Sequence, residues 1–300
     1  MQSLPQRDPS KSNSEQGLYT KFRVARIDGR DVAGGDRHGA RYFVLDLDHD
    51  EHALPAIRAY IESCEDEYPS LAGDLRAQVD RIIPGNFVTV PETALPDGSI
   101  VPSFQVSQYL CSRHKDGRPC VGINYHESRT ACEQAGLNLL TERQALAIAH
   151  DIAGQDINWT GGKVGEGSLY QGIRKGNVSE AQGPGYESDD PDERCWHELS
   201  NGERIYHFAG NAFSWIFDDV QGNESGIVAK DFAPDSPSLQ APYPSLEKGM
   251  GWRPPAGADG SGYALVRGGY WGSESTAGVF YLSGGWPDLE YDNVGFRCTK

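Results

Sequence analysis

Hydrophobic and polar positions divide the chain into stretches of different texture. Residues 1 to 17 hold almost no apolar side chains, and such a composition cannot offset the entropy of ordering, so a disordered tail is expected there. Between 18 and 83 the pattern becomes regular. Lys21 to Ile27 alternates, and Arg41 to Leu47 is a second β-rich run beyond a Gly/Asp-rich stretch, which together predict paired antiparallel strands. Leu54, Ile57, Tyr60, Ile61 and Cys64 then share one helical face, and Leu71, Leu75, Val79 and Ile82 share one face of a second helix opened by Pro69-Ser70. The expectation is a small ββαα module over 18–83, ending at Pro84-Gly85.

From residue 84 onward the chain reads as short strands, long Gly/Pro/Asp loops and two clear helices. The first spans Glu127 to Ala135 and stops at Gly136, a natural C′ residue. The second starts at Thr141, where Thr141-x-x-Gln144 matches a capping box, and runs to about Ala153 before Gly154. Residues 155 to 262 are dominated by Gly, Pro, Ser and Asp with scattered Trp and Tyr, so a packed scaffold must carry these loops.

Composition narrows the function classes. The 300 residues carry a formal charge of 27 − 43 = −16 and no Lys/Arg cluster, which argues against nucleic acid as a partner because that affinity rests on cationic contacts. No window approaches 18 consecutive apolar residues and the first residues have no apolar signal region, so no membrane insertion is expected and the default compartment is cytoplasmic. The six cysteines, at 64, 111, 120, 132, 195 and 298, form no CxxC pair and are too sparse for a disulfide scaffold.

Local candidates for chemistry are weak. Phe43-Val-Leu-Asp46-Leu-Asp48 superficially resembles a phosphatase nucleophile strand, but Asp48 or Asp50 capping and dipole-pairing a helix that opens at Glu51 explains it more simply. His49-x-x-His52 with Glu51 is one turn of helix with no distant third ligand, the pattern of a solvated helix start. The sequence therefore assigns no catalytic residue, no metal ligand and no cofactor.

Four patterns in one order say more. Asn124-Tyr-His-Glu-Ser-Arg-Thr-Ala-Cys132 through Gly136 and Thr141-Glu142, then Gly210-Asn211-Ala-Phe-Ser-Trp215, then Val266-Arg267-Gly268-Gly269-Tyr270-Trp271, then Asn293-Val-Gly-Phe-Arg297-Cys298 resemble the formylglycine-generating-enzyme family. The resemblance covers residues 85 to 300. It implies an α+β domain of the C-type lectin fold, with two helices flanking a small twisted sheet, loops over much of its surface, and Cys132 lying against Cys298. Copper-dependent members carry two cysteines between the Gly-Gly and Gly-Phe-Arg elements, since soft Cu(I) prefers thiolates. Here those places fall near Gly278 and Ser283, with no cysteine between 196 and 297. Sulfoxide-synthase relatives share an iron site with an N-terminal helical bundle, which the 18–83 module does not resemble. Ser214 also replaces the family's usual Glu, and no Glu-Pro-Asn or Gln-Pro-Asp triplet for calcium occurs.

The frame Arg-Gly-Gly-x-Trp, Ala-Gly-Val-Phe-x-Leu and Asn-x-Gly-Phe-Arg within 266–298 is similar to the variable proteins of diversity-generating retroelements. In those, a reverse transcriptase rewrites codons of the last segment while the fold holds still. Between the frame residues stand Tyr270, Gly272, Ser273, Thr276, Tyr281, Ser283, Gly285, Trp286, Leu289, Tyr291 and Asp292. Rigid aromatics among small polar residues make a combining-site composition. The resemblance implies a receptor-type protein, cytoplasmic or phage-associated, that binds a protein or other macromolecular ligand through these positions. A metal- or thiol-dependent oxidase of the wider superfamily is the alternative reading.

Overall fold

The computed structural model describes residues 4–47, 50, 52–79, 82, 85–114 and 116–300. They divide into two compact units, 1–79 and 80–300. The Asp48, His49 and Glu51 candidates and Pro84 lie outside the described residues.

In the first unit, α1 (Ala53–Cys64) and α2 (Pro69–Val79) pair through Leu54, Ile57, Ile61 and Cys64 against Ala72, Leu75 and Val79. The shared faces are close to those the periodicity gives, except that Tyr60 and Leu71 face solvent, Ala72 takes the packed place expected of Leu71, and Ile82 lies beyond the end of α2 and is buried in the core of the second unit. Asp50 accepts from the His52 amide at 3.0 Å, beside an α1 N-cap that has no side-chain cap. Residues 4–17 hold a turn closed by Lys11 N to Asp8 O and one short 3-10 turn, Asn13–Glu15, in otherwise irregular backbone.

The expected strand pair is a correction. Residues 21–27 and 41–47 carry no strand, and Phe22, Val24, Ile27 and Phe43 are exposed. Between them the chain turns repeatedly on local bonds, such as Arg26 with Asp28 and Gly35 N to Val32 O. An alternating pattern fixes strand register only when one face is buried, and a lone two-stranded ribbon is marginal in water. Of the ββαα module only the two helices form.

The second unit has the α+β architecture that the resemblance implies. Strands β1 (Phe87–Val90) and β4 (Phe104–Ser107) pair antiparallel around the small hairpin of β2 (Thr93–Ala94) and β3 (Ile100–Val101). Next come α3 (Tyr125–Gln134), β5 (Asn138–Leu139) and α4 (Glu142–Ala153). A second hairpin, β6 (Trp196–Glu198) with β7 (Arg204–Tyr206), leads to β8 (Phe213–Ile216), β9 (Ala264–Gly268), β10 (Gly278–Gly285), β11 (Val294–Phe296) and β12 (Cys298–Thr299). One sheet has the order β1-β4-β12-β5 and the other β10-β9-β8-β11, with β11 parallel to β8.

Both helix ends follow from local chemistry. Thr141 and Gln144 form the expected capping box of α4. Helix α3 starts two residues earlier than its apolar pattern suggests, because Asn124 and Glu127 form a second capping box. The alanine-rich face of α4 is buried against β10 and the β2–β3 hairpin, and α3 packs on β5.

The long loops are anchored by polar groups as much as by aromatics. The Trp159 indole donates to Ala153 O at 2.9 Å and its ring meets Tyr243 edge-on. Asn158 accepts from Arg194 at 2.8 Å, while that guanidinium stacks on Tyr170 and Trp196. Glu193 takes the amides of Arg174 and Lys175 at 2.8 and 2.7 Å. Each buried loop atom so satisfied avoids a desolvation penalty.

Candidate functional site

The C-terminal segment is built on β9 and β10. Arg267 is buried on β9 and donates Nε to Glu142 Oε2 at 2.6 Å, with Nη2 on Oε1, a bidentate pair at the start of α4. Its Nη1 reaches Phe280 O at 3.2 Å and Tyr281 O at 3.4 Å, and Nη2 reaches Ser238 O at 3.4 Å. The pairing of β10 with β9 jumps from Gly278↔Gly268 to Leu282↔Arg267. One guanidinium thus holds the irregular stretch of β10 to α4. Gly268, at φ 96°, allows the turn that follows, and a Cβ there would stand 2.8 Å from Phe208 O.

The other frame motifs have structural tasks too. Asn211 takes a left-handed φ of 66° and exchanges side-chain bonds with Gln182 N and O at 2.7 and 2.9 Å. Trp215 is buried and donates to Ile123 O at 2.9 Å. Arg297 donates to Ser107 O at 2.9 Å and to Tyr206 O, tying the last strand to β4. Cys298 lies 3.4 Å, sulfur to sulfur, from Cys111, and its thiol also interacts with that of Cys132. The neighbour implied for Cys132 is therefore present together with a third thiol that the sequence did not point to. All six cysteines are buried.

Along β10 the side chains separate as the frame suggests. Val279, Phe280 and Leu282 are fully buried, whereas Tyr281 and Ser283 are half-buried on the other side. The Phe213 ring lies between Tyr270 and Tyr281, with centroids at 5.3 and 5.2 Å, and Tyr281 also faces Trp252 at 6.1 Å. Burial pushes the pKa of the Tyr281 hydroxyl up, against its bond with Ser283, which pulls it down. Beyond the strand, Trp286 is 52% and Leu289 51% exposed, beside the exposed carboxylates Asp288, Glu290 and Asp292. Trp286 packs on Tyr263 at 4.5 Å, and its amide donates to the Tyr291 hydroxyl at 3.1 Å.

The eleven candidate positions do not all behave alike. Tyr270, Gly272, Thr276, Tyr281, Ser283, Trp286, Leu289, Tyr291 and Asp292 are half-buried or exposed along the segment. Ser273 is a correction: it is only 8% exposed, its Oγ accepts from Tyr270 N at 2.9 Å, and its carbonyl accepts from Thr276 Oγ1 at 2.5 Å. It makes the turn rather than the surface. Gly285 is limited by packing, since a Cβ there would meet the Trp215 ring at 2.9 Å. Trp252 and Phe213 join the aromatic surface from outside the segment; Phe213 lies in the Gly210–Trp215 motif, which did not mark it as a surface residue, and no pattern in the sequence marked Trp252.

No family model matches the chain, and no curated protein matches it. Among solved structures it is similar to PvdO from Pseudomonas aeruginosa, at 14% identity over 73% of this chain and 92% of that one, with a TM-score of 0.39. It is similar to the Treponema denticola variable protein 1, at 14% identity over 73% and 93%, with a TM-score of 0.38. A Major Tropism Determinant, U1 variant, is similar at 13% identity over 69% of this chain and 51% of that one, with a TM-score of 0.34. By its name the second is a variable protein, the class that the C-terminal frame resembles. At such scores these likenesses add nothing to what the site's own geometry says.

Proposed function

We propose that the chain is a non-catalytic, receptor-type protein whose segment 266–298 displays a binding surface open to diversification by a retroelement, with a protein or other macromolecule as its ligand. The observation that carries this reading is the division of labour along β10. Frame side chains are buried and cross-linked by Arg267 and Glu142, while Tyr281, Ser283, Trp286 and Leu289 stand outside that frame. Aromatic anchors on a rigid strand give contact area at low entropic cost. The alternative oxidase reading gains little from the thiols, because burial, then contact with Cys298, pushes the Cys111 thiol well above its ordinary range, away from the reactive thiolate. Among the described residues no helix is long and apolar enough to cross a membrane.

The test is a multiple exchange. A partner is first captured with the whole protein, and the displayed positions are then replaced together, with Ser273 and Gly285 kept. Melting temperature should stay within a few degrees while binding is lost or redirected. Unchanged affinity for every captured partner would refute the reading.

A further inference from the structure

Outside the displayed segment, a cleft of about 440 Å³ opens between the 234–246 loop and residues 252–256. Its walls are apolar, formed by Leu239, Leu246, Trp252 and Pro254, and Arg253 contributes the positive charge. The Ser245 hydroxyl also lines the cleft but already donates to Gly251 O. Among the described residues Arg253 makes no hydrogen bond and no ion pair, and its Nη1 is closed to solvent without a partner. That is unusual in a chain whose 43 acidic residues outnumber 27 basic ones. The other buried guanidinium nearby, Arg267, is neutralised by Glu142 and adds repulsion to Arg253.

We infer that this cleft is a binding site for an organic monocarboxylate with an apolar body, the carboxylate paired with Arg253 and the body packed on Trp252 and Leu246. A half-buried guanidinium with no acceptor carries a desolvation cost that a carboxylate offsets through charge-assisted bonds. One cation between apolar walls suits one negative charge. A phosphate or other polyanion would bring charge the cleft cannot neutralise, onto a molecule of net charge −16. The volume lies within the range of small-molecule pockets. Burial, followed by repulsion from Arg267, pushes the Arg253 guanidinium down, as fits a cation awaiting its counter-ion. The cleft shares Trp252 with the aromatic surface at Tyr281 but rests on the charge of Arg253, which the displayed segment does not use, so its failure would leave that reading intact.

The experiment uses the full chain and three probes: 3-phenylpropionate, its uncharged amide 3-phenylpropionamide, and acetyl-Leu-Phe with a free C-terminus. Binding is read from the indole N–H signal of Trp252, assigned by its loss in Trp252→Phe. The acid should shift that signal with millimolar affinity, and the amide should bind at least ten-fold more weakly. Arg253→Gln should weaken the acid to the level of the amide, with Arg253→Lys in between. Acetyl-Leu-Phe binding ten-fold tighter than the acid assigns the natural carboxylate to a chain terminus; equal or weaker binding assigns it to a small acid. If acid and amide bind wild-type protein equally, or the acid leaves Trp252 unshifted, the inference is overturned without reference to any variant's folding.

Discussion

Replacing Glu142 by Gln keeps the shape of the α4 N-terminus but leaves the Arg267 charge buried without its counter-ion. Both side chains are shut off from water, at 0% and 2% exposure. Breaking one partner of such a pair costs about 3–5 kcal/mol, because the remaining ion keeps its desolvation penalty. For a unit the size of 80–300 this corresponds to a fall in melting temperature of about 6–20 °C. Arg267→Met should cost about 1–2 kcal/mol more, since the carbonyls of Phe280, Tyr281 and Ser238 lose a donor as well. The double variant Glu142→Leu with Arg267→Met removes both charges and should lose less than Arg267→Met alone. Denaturant unfolding of the wild type, Glu142→Leu, Arg267→Met and the double variant closes the cycle and gives the coupling energy directly. Losses that simply add would mean the pair is not what holds β10 to α4.

The remaining predictions concern the core, the thiols and pH. Phe280→Ala, at a fully buried ring, should cost about 3–5 kcal/mol, whereas Trp286→Ala, at an exposed one, should stay within about 1 kcal/mol; equal losses in denaturant titrations would reject the inside/outside assignment. Cys111, Cys132 and Cys298 should resist alkylation in the native protein until it unfolds, and oxidation should link Cys298 to Cys111 or Cys132, never to Cys195; peptide mapping that finds a 195–298 link would contradict the packing of the last strand. His207 is held neutral, its pKa pushed down to about 3 by burial first and then by Arg297 and His197. Its stabilising contribution is whole above the unfolded value near 6.5 and is lost as pH falls toward 3, about 2 kcal/mol being gone by pH 5. His207→Asn, which tolerates the φ of 53° there, should flatten that part of the pH dependence; an unchanged slope would refute the assignment.

What the sequence discloses depends on how local the determining physics is. The ends of α4 were legible because Thr141, Gln144 and Gly154 sit within a turn of the atoms they govern. The start of α3 carried an equally local signal, Asn124 with Glu127, that its apolar pattern alone does not show. The frame motifs were legible as patterns, yet their reasons were not: Arg267 answers to Glu142, 125 residues away, and Asn211 to Gln182. The loops between 155 and 262 depend on such remote polar partners throughout, so no period or composition could locate their anchors. In 21–47 the opposite error arises. Alternation is a local signal there, but nothing buries the apolar face of Phe22, Val24 and Phe43, and without burial the pattern specifies no sheet.

The same contrast explains how one segment can carry both the core and a changeable surface. From Phe280 to Ser283 neighbouring residues on β10 point to opposite sides, so Phe280 and Leu282 can be fixed by the core while Tyr281 and Ser283 remain outside it. Such separation works only if the strand's position does not depend on the outward side chains. Arg267 meets that condition by gripping backbone carbonyls, those of Phe280 and Tyr281, which are present whatever residue occupies the position. Ser273 and Gly285 mark its limits, because there the side chain, or its absence, itself makes the turn or admits the Trp215 ring. Diversification confined to residues whose backbone is held elsewhere leaves stability nearly untouched, whereas extending it to Ser273 or Gly285 would draw directly on the fold.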